Sequence, residues 1–323
     1  MKIFVTGGAG FIGSNYVRGL LGGMWGPGTD SVTVFDALTY AGNLENLAPV
    51  RTNPRFSFVR GDIRNPSEVR DAMKGHDCVV HFAAESHVDR SIDAASIFME
   101  TNVLGTQVLL EAALAESIST FVHVSTDEVY GSIESGSWDE ECPLLPNSPY
   151  AASKASSDLV ARAYWRTFGL DVRITRCSNN FGPYQYPEKV IPLFVTNLMD
   201  GRQVPLYGDG MNVRDWLHVD DHCRGIDLVL RSGRAGEIYN IGGGTELTNK
   251  ALTELILRAM DCGPEMIRPV DDRKGHDRRY SVDWSKINTQ LGYSPQESLE
   301  RSLPALVTWY RSNEAWWRPL RGN

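Results

Sequence analysis

The stretch "STDEVYG", residues 125–131, follows the apolar run "FVHV" and sets Thr126 beside two carboxylates, Asp127 and Glu128. Further on, "YAASK" spaces Tyr150 and Lys154 four residues apart, which on a helix puts both side chains on one face. A free tyrosine titrates at about 10, and a neighbouring ammonium favours its phenolate. The pair therefore suits a base that takes a proton from a hydroxyl. Oxidising an alcohol to a ketone needs little more than a Ser or Thr with such a Tyr. Two further acids at the end of the same run suggest a second proton transfer. Taken alone, each group also fits a blander reading, a chance helix pair and two solvated loop acids, so their surroundings must decide.

The chain opens with "KIFVTG" and then "TGGAGFIGS". Gly8, Gly10 and Gly13 fit G-x-G-x-x-G, and Gly7, Gly10 and Gly13 also keep an even three-residue spacing. Glycines here permit a tight turn and close approach of backbone to a pyrophosphate, whose charge a helix N-terminus would face. Asp36 ends the next apolar run, "SVTVFD", where an acid suits a ribose 2′-hydroxyl and repels the extra phosphate of NADP. NAD is the expected cofactor. From the motif by itself, a structural glycine turn stays open.

Short apolar runs then alternate with amphipathic stretches: "RFSFVRGD" before "SEVRDAM", "CVVHFAA" before a long helical pattern at 94–116, and "TFVHVST" before "YAASKASSDLVARAYWRTF". This alternation predicts an α/β fold, a doubly wound parallel sheet of Rossmann type with ligands at the carboxyl ends of its strands. The alternation loosens after "DVRITRCSNNFGP", with no low-complexity linker. Residues 1–180 are expected to form the NAD-binding domain that carries the catalytic groups. Residues 181–323 would then form a smaller, closely packed α/β substrate domain, with some segments crossing back.

Taken together these motifs resemble the extended short-chain dehydrogenase/reductase family. Within it, "AAESHVDRS", "STDEVYG", "NNFGPYQYPEKVIP", "VRDWLHVDDH" and "GHDRRYSVD" are similar to its nucleotide-sugar 4,6-dehydratases that act on dTDP-glucose, along essentially the whole chain. Epimerases of the same family carry small or hydroxyl residues where Asp127 and Glu128 stand. The resemblance implies a lyase that oxidises C4 of a glucosyl unit, eliminates water across C5 and C6, and returns the hydride to C6, leaving NAD unchanged. It implies Tyr150 with Lys154 as the C4 base, Thr126 as a hydrogen-bond partner of the C4 oxygen, Glu128 as the C5 base and Asp127 as the acid for the C6 hydroxyl. It implies cofactor contacts from Gly7, Gly10, Phe11, Ile12, Gly13, Asp36, Leu38, Thr39, Asp62, Ile63, Ala83, Ala84, Ser86, Thr101, Tyr150, Lys154 and Asn180. Substrate contacts would come from His87, Thr126, Asn179, Lys189, Val190, Pro205, Tyr207, Arg214, Asn249, Arg273, His276 and Tyr280. Viewed without the family, His87 and the run "DRKGHDRRY" read as loop and surface, and Lys274 stands where the family commonly has Pro. A dehydratase of UDP- or GDP-sugars and a 4-epimerase are the alternatives.

Bulk properties narrow the classes further. A 323-residue chain with 42% hydrophobic and 22% charged residues can bury a substantial core. A net charge of -8 without any Lys/Arg run gives no footprint for nucleic acid or a membrane surface, so an anionic ligand would need a local pocket. No apolar stretch approaches the roughly 20 residues of a bilayer span, and the N-terminus turns at glycine too early for a signal peptide, so a cytoplasmic location is expected. Five scattered cysteines without C-x-x-C spacing indicate neither disulfides nor zinc. The long helical patterns at 94–116 and 150–167 would, by the resemblance, pair in a homodimer.

Overall fold

The structure, a computed structural model, describes residues 1–321. Stiff Val, Ile, Phe and Thr side chains crowd the runs that form β1 (Lys2–Thr6), β2 (Ser31–Asp36), β3 (Phe56–Arg60), β4 (Cys78–His81), β5 (Thr120–Thr126) and β6 (Val172–Cys177). There follow β7 (Asn179–Phe181), β8 (Val204–Tyr207), β9 (Val213–His218), β10 (Ile238–Ile241), β11 (Glu246–Thr248) and β12 (Ile267–Val270). The main sheet has the order β10-β6-β5-β4-β1-β2-β3 with every pairing parallel. From β1 the chain moves outward to β2 and β3, then returns to the other side at β4. The order therefore reverses between β1 and β4, which is where a crevice opens beyond the carboxyl ends.

Both faces of the sheet are covered. On one, Tyr16, Val17 and Leu20 of the helix Phe11–Gly22 and Ile226 and Val229 of the helix Val219–Ser232 pack on Val5, Val34 and Val80. On the other, Leu109, Leu110, Ala113 and Ala161 cover Phe4, Phe35, Phe121 and Ile174. The helix Val219–Ser232 and β10 belong to the later part of the sequence yet complete the main sheet. The small sheets β11-β9-β7 and β12-β8 surround a separate core that includes Phe181, Phe194, Trp216, Leu252, Leu303 and Trp317.

The pattern at 94–116 is not one regular helix. A short turn, Ala95–Phe98, passes into a π-helical segment, Met99–Gly105, before the helix Thr106–Ala115. Its wider turn carries an additional residue that apolar periodicity does not reveal. It lets Asn102 exchange hydrogen bonds with the Glu85 backbone, at 2.9 and 3.0 Å, and donate to Ser153 Oγ at 2.8 Å. Gly105 sits so close to Ile63 that a Cβ would meet its Cδ1 at 2.6 Å.

A buried polar chain braces the helix Pro149–Phe168 against the sheet. His123 Nε2 meets Ser157 Oγ at 3.0 Å, and Asp158 takes the Arg176 guanidinium at 2.9 Å. Arg176 also donates to the Tyr130 hydroxyl, which donates to Asn240. Burial alone would raise the Asp158 carboxyl, but Arg176 and His123 outweigh it and hold the group at about 2. A carboxyl depressed in the folded state adds stability above its ordinary value, lost as the pH falls through the folded value. Asp158→Asn should therefore leave Arg176 buried without its counter-charge and cost about 3–5 kcal/mol in urea unfolding at neutral pH. That difference should shrink as the pH drops from about 4 toward 2; a difference independent of pH would contradict the pairing.

Candidate active site

The glycine turn forms one wall of the crevice. Gly7 has φ 68°, and a Cβ on it would meet the Ala83 backbone nitrogen at 2.5 Å, so only glycine permits this approach of β1 to the β4 loop. A Cβ on Gly13 would collide with the Gly7 carbonyl oxygen. Gly10 caps the helix Phe11–Gly22, whose first amides have no intrahelical acceptor and face the cavity lined by Gly7, Gly10, Phe11, Ile12 and Gly13. That donor set, the glycine cradle and an acid at the end of β2 fit a dinucleotide such as NAD.

Asp36 lines the same cavity, and its two oxygens also accept the Ala9 amide at 2.9 Å and the Leu38 amide at 2.8 Å. The acid thus braces the glycine turn while lining the cavity. Asp36→Asn should narrow the preference for NAD over NADP by roughly tenfold, the worth of about 1.4 kcal/mol. Comparing dissociation constants for the two cofactors checks it; wild-type protein that binds both equally would remove this role.

The catalytic candidates share this cavity. Thr126 ends β5 and caps a 3₁₀ turn, Asp127–Tyr130, so the two acids stand at the start of a fixed turn rather than on a loop. The Glu128 amide donates to Thr126 Oγ1 at 3.3 Å, and the Thr126 hydroxyl donates to Asp127 Oδ1 at 3.3 Å. Ser148 caps the helix Pro149–Phe168 and so positions Tyr150 and Lys154. Thr126, Asp127, Glu128, Tyr150 and Lys154 all line the cavity.

The two acids differ in their surroundings. Burial, then the neighbouring Glu128, pushes the Asp127 carboxyl well above its ordinary value. Burial also raises Glu128, but Arg273, Arg214 and Lys189 oppose that rise. Asp127 is thereby favoured as the protonated member and Glu128 as the ionised one.

Tyr150 and Lys154 depart from the simple pairing that their spacing suggests. Lys154 Nζ donates to the Val124 carbonyl at 2.8 Å, and burial lowers the ammonium to about 8. Burial, followed by Glu128, pushes the Tyr150 phenol well above its usual value instead of down.

Of the other expected cofactor contacts, Thr39, Asp62, Ile63, Ala83, Ala84, Ser86, Thr101 and Asn180 line the cavity, whereas Leu38 does not. Leu38 instead holds a left-handed φ of 55° beside Asp36. Among the expected substrate contacts, Asn179 and Lys189 line it, and Lys189 Nζ donates to the Ser86 carbonyl at 2.7 Å. Arg214, His276, Arg273 and Tyr280 lie outside its lining but belong to one cluster. The Arg214 guanidinium lies 4.1 Å from the Tyr280 ring centroid, Arg214 donates to the Asp277 carbonyl, and His276 pairs with Asp272 at 2.6 Å. Arg273 lies 3.6 Å from Asp89. His87 caps the short helix Val88–Asp93. Val190 begins the helix Val190–Met199, Pro205 and Tyr207 lie on β8, Asn249 begins the helix Asn249–Ala259, and the Lys274 side chain is exposed. The buried atoms Asp127 Oδ2, Asn179 Oδ1, His87 Nδ1 and Arg273 Nε have no protein partner, as groups awaiting a polar ligand would.

Sequence reasoning passed over Tyr40, Glu85, Tyr184, Gln185, Tyr186 and Trp316, which also line the cavity. Tyr184 to Tyr186 lie within the quoted "NNFGPYQYPEKVIP", whereas nothing local marks Trp316. Cys177 lines the cavity as a buried free thiol, and among the described residues no cluster of His, Cys, Asp or Glu is placed to hold a metal.

Residues 4–305 match the family model described as GDP-mannose 4,6 dehydratase. A dTDP-glucose 4,6-dehydratase of Streptomyces niveus is 60% identical over 99% of this chain and 96% of its own length. The chain belongs to the dTDP-glucose 4,6-dehydratase family. Among solved structures, the DesIV dTDP-glucose 4,6-dehydratase of Streptomyces venezuelae, with NAD and dTDP bound, is 63% identical with a TM-score of 0.98, covering 99% of this chain and 100% of that one. A UDP-glucose 4-epimerase of Thermotoga maritima shares the fold at 31% identity and TM-score 0.89, over 97% and 100% of the two chains. Dehydratase and epimerase thus share one scaffold, and what separates them lies in the site.

Proposed function

We propose that this chain converts dTDP-glucose into dTDP-4-keto-6-deoxyglucose and water. Bound NAD would supply the acceptor for the C4 hydrogen and then the donor for C6. Tyr150 takes the C4 hydroxyl proton, and Thr126 hydrogen-bonds the C4 oxygen. Once C4 is a carbonyl its neighbour C5–H is acidic, and Glu128 removes that proton. Asp127 gives its proton to the departing C6 hydroxyl. An acid and a base side by side must hold different protonation states, and the unequal surroundings of Asp127 and Glu128 supply that difference. The observation that carries the reading is that both acids line one cavity with Thr126, Tyr150 and Lys154. It also favours dehydration over 4-epimerisation, which needs no second acid–base pair.

Lys189, Arg214 and Arg273, with His276, Tyr280 and Asn249, are proposed to hold the nucleotide, the guanidinium and ammonium groups taking the diphosphate. Residues 1–180 then serve NAD and chemistry, and residues 181–323 the nucleotide sugar. We also propose a homodimer, supported by the outward-facing apolar side chains Leu104, Leu159 and Phe168, each more than half exposed on the two long helical segments. A cytoplasmic location, where NAD and nucleotide sugars are both at hand, completes the reading; no helix among the described residues is long and apolar enough to cross a membrane.

Incubation with dTDP-glucose, UDP-glucose and GDP-mannose separately tests the substrate. A 4-keto-6-deoxy product from dTDP-glucose alone, or far faster from it, is expected. Preferential turnover of a UDP- or GDP-sugar, or interconversion of glucose and galactose without loss of water, would overturn the assignment.

A further inference from the structure

The C-terminal helices reach the cofactor crevice from the opposite end of the chain. Trp316, in the short helix Glu314–Trp317, and Leu320, in the turn Arg318–Arg321, line the same cavity as Gly10 and Asp36. Trp316 Nε1 donates to Asn46 Oδ1 at 2.8 Å. Asn46 Nδ2 in turn donates to the Ala9 carbonyl, inside the glycine turn, at 2.8 Å. One wall of the crevice is thereby tied to the C-terminal segment.

The other wall is tied to it as well. Three consecutive cavity-lining residues each meet the C-terminal helices. The Tyr184 ring packs against Trp309 and Trp316, with centroids 4.7 and 5.4 Å away. The Tyr310 hydroxyl donates to the Gln185 carbonyl at 2.9 Å, and the Tyr186 hydroxyl donates to the Leu320 carbonyl at 3.1 Å. Tyr184 holds φ 66°, a left-handed conformation that a non-glycine residue keeps only where its surroundings fix it. The Arg18 guanidinium, from the helix that opens at the glycine turn, lies 4.1 Å from the Tyr184 ring centroid.

The segment is anchored behind the crevice. Trp317 is fully buried and donates to the Tyr310 carbonyl at 2.8 Å. Arg318 and Arg321 both reach Asp200, at 3.0 and 2.9 Å. Neighbours on a helix point about 100° apart. Trp317 can thus be sunk in the core while Trp316 faces the cavity.

We propose that Glu314–Arg321 is a strap across the dinucleotide crevice and that Trp316 is a cofactor-retaining residue. The inference rests on the dehydratase reading, in which the cofactor ends each turnover unchanged and early release would only unload the enzyme. Parting the two walls would break the Trp316–Asn46 and Tyr186–Leu320 bonds along with the packing on Tyr184, so the strap acts on release.

The test follows the holoenzyme loaded with isotopically labelled NAD, diluted into excess unlabelled NAD, with bound label read by rapid gel filtration. Trp316→Ala should release label roughly ten- to a hundredfold faster than wild type, because an aromatic contact and a hydrogen bond are lost together. Trp316→Phe keeps a ring without the donor to Asn46 and should fall between. Tyr186→Phe, which loses only the bond to Leu320, should release about two- to tenfold faster. Circular dichroism and thermal melts identify the folded variants; if Trp316→Ala does not fold, the two Phe variants carry the test. Wild-type release rates in folded Phe variants would overturn the strap. So would a wild type that converts dTDP-glucose yet exchanges label freely, which leaves the dehydratase reading standing. Slow, Trp316-dependent release from a protein that does not dehydrate dTDP-glucose would instead refute the dehydratase reading alone.

Discussion

Glu128→Gln should oxidise dTDP-glucose at C4 and stop there. Glutamine nearly preserves the shape of the side chain and leaves the Glu128 amide bond to Thr126 in place, but it cannot take the C5 proton. Reduced cofactor and a 4-ketoglucose nucleotide should therefore accumulate, visible as reduced-nicotinamide absorbance. Exchange of C5 hydrogen with solvent deuterium should slow by roughly 10²–10⁴, the usual worth of a positioned base. The wild type adds a pH signature. Because burial raises the Glu128 carboxyl, elimination should fail as the pH drops, beginning above the ordinary carboxylate range, since only the ionised form accepts the proton. A variant that eliminates water at the normal rate would show that another group is the C5 base.

Tyr150→Phe should fail one step earlier. Without a phenol the C4 hydroxyl has no acceptor for its proton, and formation of reduced cofactor should fall by roughly 10²–10⁴. Burial, then Glu128, holds the phenol well above its usual value, and only the phenolate accepts that proton. The wild-type oxidation rate should accordingly rise with pH, and the variant should lose that rise along with the rate. Rapid-mixing measurement of reduced nicotinamide separates this variant from Glu128→Gln, which makes the chromophore and keeps it. Near-normal oxidation by Tyr150→Phe would remove Tyr150 from the mechanism.

The parts that were legible in the sequence are those set by local pattern. Alternating apolar runs and amphipathic stretches marked β1 to β6, and glycine spacing with Asp36 marked the crevice, because strand and helix periods and the steric needs of a turn are written in neighbouring residues. The carboxylate pair could be seen as a second proton-transfer device, but not which acid stays protonated. That depends on Arg214, Arg273 and Lys189, distant in sequence and gathered near Glu128 only by the fold. Spacing put Lys154 on the face of Tyr150, yet its ammonium bonds the Val124 carbonyl, a partner supplied by the packing of helix on sheet. The π-helical turn at Met99–Gly105 was hidden for a related reason: its sequence looks like ordinary helix, and tertiary contacts of Asn102 and Gly105 accompany the wider turn. Trp316 reaches the crevice from the chain's far end, beyond any local pattern.

The most direct test of internal oxidation and return is an isotope experiment on the wild type. Substrate carrying deuterium at C4, mixed with an equal amount of unlabelled dTDP-glucose marked by a heavier sugar ring, should give product with deuterium at C6 of the same molecules that began with it, and solvent hydrogen at C5. Deuterium shared between the two sugar populations would mean that the cofactor leaves between the half-reactions. Deuterium returned to C4 with no water lost would mean an epimerase, and would contradict the roles given to Asp127 and Glu128.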